Sequence, residues 1–323
     1  MRVLFALQLV VLAVWAQPVE LGWHLPNGTW ISVQQVEQLA DTPTQVGFFL
    51  YTQANSQTAQ HIVANDASIQ SSHFKAARAT KFVIHGWKGS YKDEMNKWIT
   101  QAWLKRGDFN IIVVDWAASR TENYVSAAKA VGNAGAAVGQ MILHLHEQHQ
   151  MPLHNLDVIG HSLGAHVAGF AGKTVAQSGQ QVHTIVGLDA AMPLFSYSKP
   201  AKRLASTDAH YVESIQTNGG KLGFVKPIGK GTFYPNGGKE QPGCGSDLDG
   251  LCAHTRSVVY YVEAVQQDNF GSIKCSDYEA AVAQECGSTF SSVRMGAVTN
   301  AYMVNGDFYV PLHTEAPYGV LEH

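Results

Sequence analysis

Charge is scarce in this chain. Only 15% of its 323 residues are Asp, Glu, Lys or Arg, and 22 basic against 25 acidic side chains leave a net charge of −3. With no basic run either, nothing supports an electrostatic grip on nucleic acid or anionic membrane. Biased tracts, internal repeats and linkers are absent. The 46% apolar content can bury a large core, so disorder is excluded too. Beyond the amino terminus no uninterrupted apolar run approaches a bilayer's thickness. The longest candidate, Asn123 to Gln150, is broken by Lys129, Asn133 and Gln140 and reads as a buried helix.

The amino terminus has the apolar run that the rest lacks. "MRVLFALQLVVLAVWAQP" presents one Arg, a stretch of about thirteen apolar residues and then Val14-Trp15-Ala16. This pattern predicts a secretory signal over residues 1–16, cut after Ala16, and a secreted, extracellular mature chain. Residues 17–323 then form a single domain. About ten residues follow the last predicted strand, which leaves no room for a second one. Four cysteines in a secreted chain should pair, and three connectivities are open. Local pairing, Cys244 with Cys252 and Cys275 with Cys286, closes two short loops and is preferred. Asn27-Gly28-Thr29 is a glycosylation sequon and makes Asn27 a candidate acceptor.

Downstream of an irregular, Gln-rich region with a strand at Val46 to Thr52, apolar runs and helical periodicities alternate. "KFVIHGW" (Lys81 to Trp87) precedes a helix over Lys92 to Gly107, and "NIIVVDW" (Asn110 to Trp116) precedes the long helix. "LDVIG" (Leu156 to Gly160), a helix from Leu163, "HTIVGLD" (His183 to Asp189) and "AHYVESIQTN" (Ala209 to Asn218) continue the pattern. Alternation of this kind predicts an α/β fold, a mostly parallel sheet with helices on both faces. Gly219 to Gly243 reads as loop and hairpin rather than core. A helix over Thr255 to Gln267 and a strand near Asp307 to Leu312 complete the chain.

In such sheets chemistry sits at the carboxyl ends of strands. There, "DVIGHSLGAHVAGFAG" places Ser162 at the centre of G-x-S-x-G, with Gly160 and Gly164 flanking it, between a strand and a helix. A serine hydroxyl needs a base to take its proton and an acid to hold that base. Asp189 ends a strand 27 residues later, and His254 follows in "CAHTRS". The order Ser, Asp, His is the one used by the α/β-hydrolase fold. Asp115 is the rival acid, but it precedes the serine and reads as structural.

Fifteen histidines compete for the role of base. His85, His161 and His166 belong to the elbow and the first strand, and His210 starts another strand. The cluster His144, His146, His149 and His154 suggests a metal, but "HEQH" spaces its pair by three rather than the four of H-E-x-x-H, so it reads as a polar helix end. His254 lies two residues after Cys252, on a loop that a disulfide can pin. Oxyanion donors follow from position: the amide of Leu163, next after the nucleophile, and that of Trp87, after an earlier strand. No metal or other cofactor is called for.

Five segments in order, "KFVIHGW", "GHSLGAH", "GLDAAMP", "FYPNGGKEQPGC" and "CAHTRS", resemble the animal lipase family. That family includes pancreatic lipase, lipoprotein lipase, wasp-venom phospholipases A1 and insect yolk proteins. The resemblance covers roughly Trp23 to Val320. It implies the same triad, Ser162, Asp189 and His254, and the same oxyanion donors, Trp87 and Leu163. The chain stops before the β-sandwich domain of pancreatic relatives, so no colipase partner is expected. The family's calcium segment, Arg-Leu-Asp-Pro-x-Asp, here reads Arg203-Leu204-Ala205-Ser206-Thr207-Asp208 and has lost an acidic ligand, which argues against calcium. Between Cys244 and Cys252 lie seven residues, too few for an amphipathic lid helix. In the family a short lid goes with phospholipase A1 or galactolipase activity. The expectation is therefore a secreted serine ester hydrolase acting on glycerolipids, foremost a phospholipase A1 that touches lipid interfaces transiently. Triacylglycerol lipase and galactolipase are the alternatives, and a catalytically silent storage, yolk-type or lipid-binding protein is the alternative of another class.

Overall fold

A computed structural model of the chain describes residues 22–25, 28–302 and 304–321. The secretory signal expected over 1–16 and the candidate acceptor Asn27 lie outside the described residues.

A small hairpin, β1 (Gly22–His24) with β2 (Trp30–Ser32), leads into α1 (Val33–Gln38), whose start is held by reciprocal hydrogen bonds between Ser32 and Gln35. The main body then follows in the order β3 (Val46–Tyr51), β4 (Gln60–Ile62), α2 (Asp66–Gln70), β5 (Thr80–Ile84), α3 (Glu94–Arg106), β6 (Asn110–Trp116) and α4 (Tyr124–His149). After it come β7 (Leu156–His161), α5 (Leu163–Gln177), β8 (Thr184–Leu188), β9 (Tyr211–Ile215), β10 (Gly231–Pro235), α6 (Leu251–Gln267), β11 (Ile273–Lys274), α7 (Tyr278–Ala283) and β12 (Gly306–Val310).

Ten strands form one sheet in the order β11-β12-β10-β9-β8-β7-β5-β6-β3-β4. The seven from β12 to β6 run parallel, while β11 at one edge and β3 and β4 at the other make antiparallel pairings. Strands β5, β8, β9 and β10 are buried along their whole length, which is why they read as continuous apolar runs rather than alternating ones. Two apolar layers cover the sheet. One joins it to α4 and α5 through residues such as Val138, Ile142, Val167 and Ala171; the other joins it to α3 and α6 through Trp103, Val258, Tyr261 and Val265. This is the α/β-hydrolase arrangement, a mostly parallel sheet with helices on both faces. Among the described residues no helix is long and apolar enough to cross a membrane.

Two features depart from the sequence reading. The Gly- and Pro-rich stretch taken as loop and hairpin contains β10, an interior parallel strand paired with both β9 and β12. The late helix also begins at Leu251, so His254 stands in its first turn rather than on a loop. Both disulfides form as preferred, Cys244 with Cys252 and Cys275 with Cys286. Such bonds persist in an oxidising, extracellular type of compartment.

Adjacent strands β5 and β7 send their following helices, α3 and α5, to opposite faces of the sheet. Their carboxyl ends therefore flank a switch point, where open sheets of this kind form a crevice.

Candidate active site

Ser162 sits at that crevice with φ 58° and ψ −124°, a left-handed conformation rare for a side-chain-bearing residue. The flanking glycines allow it. A Cβ on Gly160 would lie 2.2 Å from the Gly164 carbonyl oxygen, and one on Gly164 would lie 2.3 Å from that of Ile84. The sharp turn is pinned at both ends, because the Ser162 amide donates to Leu188 O (3.0 Å) and its carbonyl accepts from Ala191 N (3.2 Å). The elbow is thereby tied to β8 and to the residues just beyond Asp189.

Asp189 is fully buried and also has positive φ (42°). Its Oδ1 accepts from the amides of Thr217 (2.8 Å) and Asn218 (3.0 Å), and its Oδ2 lies 2.6 Å from His254 Nδ1. A carboxylate accepts, so Nδ1 donates, and in the neutral ring Nε2 then keeps its lone pair. The His254 ring lies against its neighbour across the crevice, with a 4.5 Å centroid separation from His161, and His161 Nε2 lies 3.3 Å from the His254 carbonyl. Burial and the facing His254 hold the His161 pKa well below its ordinary value, so His161 is a neutral spacer between elbow and helix.

Three further residues support this frame: Asp247 and Gly86, which the sequence reading left unassigned, and His166, read as part of the elbow. Asp247, inside the short disulfide loop, accepts from the amides of Cys252 (3.0 Å) and Ala253 (2.8 Å) and so caps the helix that carries His254. His166 donates from Nε2 to Ala191 O (2.6 Å) and accepts at Nδ1 from Leu204 N (3.0 Å), its pKa pushed down to about 3 by burial above all. Gly86 lies against Ser162, since a Cβ there would sit 2.7 Å from Ser162 Cβ. Motifs alone signalled none of these roles; those of His166 and Gly86 depend on contacts distant in sequence, and that of Asp247 on a local cap five and six residues from its partners.

Leu163 opens α5 and is fully buried; its amide is among those at a helix start that lack an intrahelical acceptor. Trp87 follows Gly86, its indole donating to Thr121 O (2.7 Å) and packing edge-on against Tyr124 at 5.2 Å. Neither amide donates to a carbonyl among the described residues. The rival acid Asp115 lies elsewhere, pairing with His85 Nε2 (3.3 Å) and Arg120 (2.6 Å). Burial raises its pKa, but these two cationic or donating neighbours outweigh that and leave it lowered.

The Arg203 to Asp208 segment does not fit a calcium ion. The ammonium of Lys173 takes both carboxylate oxygens of Asp208 (2.6 Å each) and the carbonyl of Arg203 (2.8 Å), the donors that a cation there would need. Asp208 is nearly inaccessible, so the pair is a buried one. Removing one partner of such a pair strands the other's charge. Lys173→Met is expected to lower unfolding stability by about 3 kcal/mol, and Lys173→Met with Asp208→Asn to recover most of that loss, as read by chemical denaturation.

A family model described as Lipase matches residues 14–318. The chain belongs to the lipase family. Among its relatives are phospholipase A1 VesT1.02 of Vespa tropica, 34% identical over 73% of this chain and 82% of that protein, and phospholipase A1 1 of Dolichovespula maculata, 35% identical over 75% and 78%. The pancreatic triacylglycerol lipase of Equus caballus is 33% identical over 82% of this chain. This lipase-family chain spans 63% of that enzyme's length.

Proposed function

We propose that this lipase-family protein is a secreted serine hydrolase that cleaves the sn-1 acyl ester of phospholipids. The class, hydrolysis of glycerolipid carboxylic esters, comes with the family. What carries the assignment of roles is the 2.6 Å contact between His254 Nδ1 and Asp189, together with the strained elbow at Ser162, whose neighbour His161 lies against the His254 ring.

In the proposed sequence, His254 Nε2 takes the proton of Ser162 Oγ as that oxygen attacks the ester carbonyl carbon. The carbonyl oxygen becomes an oxyanion and accepts from the amides of Trp87 and Leu163. Collapse breaks the ester C–O bond, and imidazolium returns its proton to the departing lysophospholipid alkoxide. Water, deprotonated by the same imidazole, then splits the acyl-enzyme and releases the fatty acid. Asp189 fixes the imidazole's tautomer throughout.

Two observations support the substrate class. The loop from Cys244 to Cys252 is committed through Asp247 to capping α6, and the large apolar side chains it exposes are Leu248 (91% exposed) and Leu251 (57%). Such a loop leaves the mouth open to a polar head group and suits brief contact with a lipid surface; no colipase is invoked. Beside Trp87 opens a cavity of about 770 Å³ whose lining joins the apolar Leu25, Trp30, Ile31, Leu39 and Tyr124 to the polar Gln35, Gln38, Glu122 and Asn123, a mixture that suits an acyl chain with a polar end. In a panel of phosphatidylcholine, galactolipid and triolein, phosphatidylcholine is expected to lose its sn-1 fatty acid fastest. Triolein cleaved far faster than phospholipid would overturn the preference.

A further inference from the structure

Far from the crevice, three side chains converge that the sequence separates widely. His144 and His149, from the last turns of α4, both point at Asp66, the first residue of α2. Asp66 Oδ1 lies 3.2 Å from His149 Nε2 and 3.7 Å from His144 Nε2, and one donor atom from each of the three residues falls within 4.8 Å of the others. The two rings stand edge to face, 5.1 Å apart.

The state of the nitrogens is the informative feature. Both Nε2 atoms are shut off from solvent, and neither makes a hydrogen bond. Buried polar atoms ordinarily find a partner, and one left without points to an occupant. A simple ion pair would have turned one ring to donate squarely to the carboxylate. Instead both nitrogens and the carboxylate oxygen surround a common point. His146 is engaged elsewhere, its Nδ1 lying 2.8 Å from the carbonyl of Met151.

We infer that Asp66, His144 and His149 form a binding site for a divalent zinc-class ion that clips α2 to the carboxyl end of α4. Two imidazoles and a carboxylate are the donor set such an ion prefers, whereas calcium and magnesium call for oxygen throughout. Bonds of about 2.0–2.1 Å at tetrahedral angles put donors about 3.3 Å apart, so the triad closes with a contraction of about 1.5 Å at most. Asp66 is exposed and free to make it, and its exposed side leaves the fourth position to water. The two histidines stand five apart on α4 rather than the four of H-E-x-x-H, and the third donor comes from α2.

The test uses the mature full-length chain, stripped with EDTA and titrated calorimetrically with zinc chloride. One site is expected. The His144→Gln/His149→Gln double variant is expected to lose it, and Asp66→Asn to weaken it by about tenfold or more. Cobalt(II) should give the intense visible absorption of a tetrahedral site in the parent and not in the double variant. Asp66→Asn changes an exposed residue and serves if the double variant misfolds. Zinc bound with equal stoichiometry and affinity by parent and variants, or not bound by the parent, would overturn the site.

Discussion

Replacing Ser162 by alanine is expected to lower kcat for phospholipid hydrolysis by about 10⁶-fold and to leave the fold standing. No other hydroxyl occupies the strained elbow, and residual turnover would come only from binding and the oxyanion donors. The fold should tolerate the change because the Ser162 side chain makes no capping hydrogen bond, and alanine keeps the Cβ that already fits at φ 58°. Release of fatty acid from phosphatidylcholine measures the rate, and a thermal melt checks the fold. A fluorophosphonate probe should label the parent at residue 162 and miss the variant. Retention of more than about 1% of the parent rate by a folded variant would place the nucleophile elsewhere. Failure of the folded parent to react with the probe would favour the storage-type reading.

Asp189→Asn is expected to lower kcat by about 10⁴-fold with little change in KM. Oδ1 of Asp189 is claimed by two backbone amides, Thr217 N and Asn218 N, so an asparagine would keep its oxygen there. Its NH₂ would then face His254 Nδ1 in place of Oδ2, and two donors cannot share that contact. The imidazole would carry its proton on Nε2 instead, where it cannot accept one from serine. Asp115→Asn is the control. That carboxylate holds His85 and Arg120 rather than the base, so its loss should lower the rate far less. Equal loss from both substitutions, in steady-state assays on folded proteins, would remove Asp189 from its assigned role.

Much of this was legible in the order of residues. Strand β6 and the start of α5 coincide with their sequence-read limits, because a run of β-branched residues and a glycine-flanked turn are local signals. The elbow and the candidate acid and base follow the strand-end logic of the fold, and the disulfides close over short separations. β10 was illegible for the opposite reason. In Gly231-Thr232-Phe233-Tyr234-Pro235 three strand-favouring residues are bounded by Gly and Pro, which disfavour one, and the segment is a strand because β9 and β12 pair with it on both sides. His254 differs: it stands in a helix because Asp247 caps the amides of Cys252 and Ala253 just ahead of it, a local signal that the sequence reading passed over.

By itself, then, the sequence determined the alternation of strand and helix, the elbow at Ser162, the family and the candidate triad, since each rests on residue type and short-range spacing. Only the tertiary structure decided which carboxylate meets His254, that Lys173 fills the cation position beside Asp208, and that Asp66 joins His144 and His149. The physical reason is range. Backbone preference and apolar periodicity act over a few residues and are written in the chain, whereas a hydrogen bond or a ligand set depends on side chains tens of residues apart arriving within about 3 Å, and packing alone brings that about.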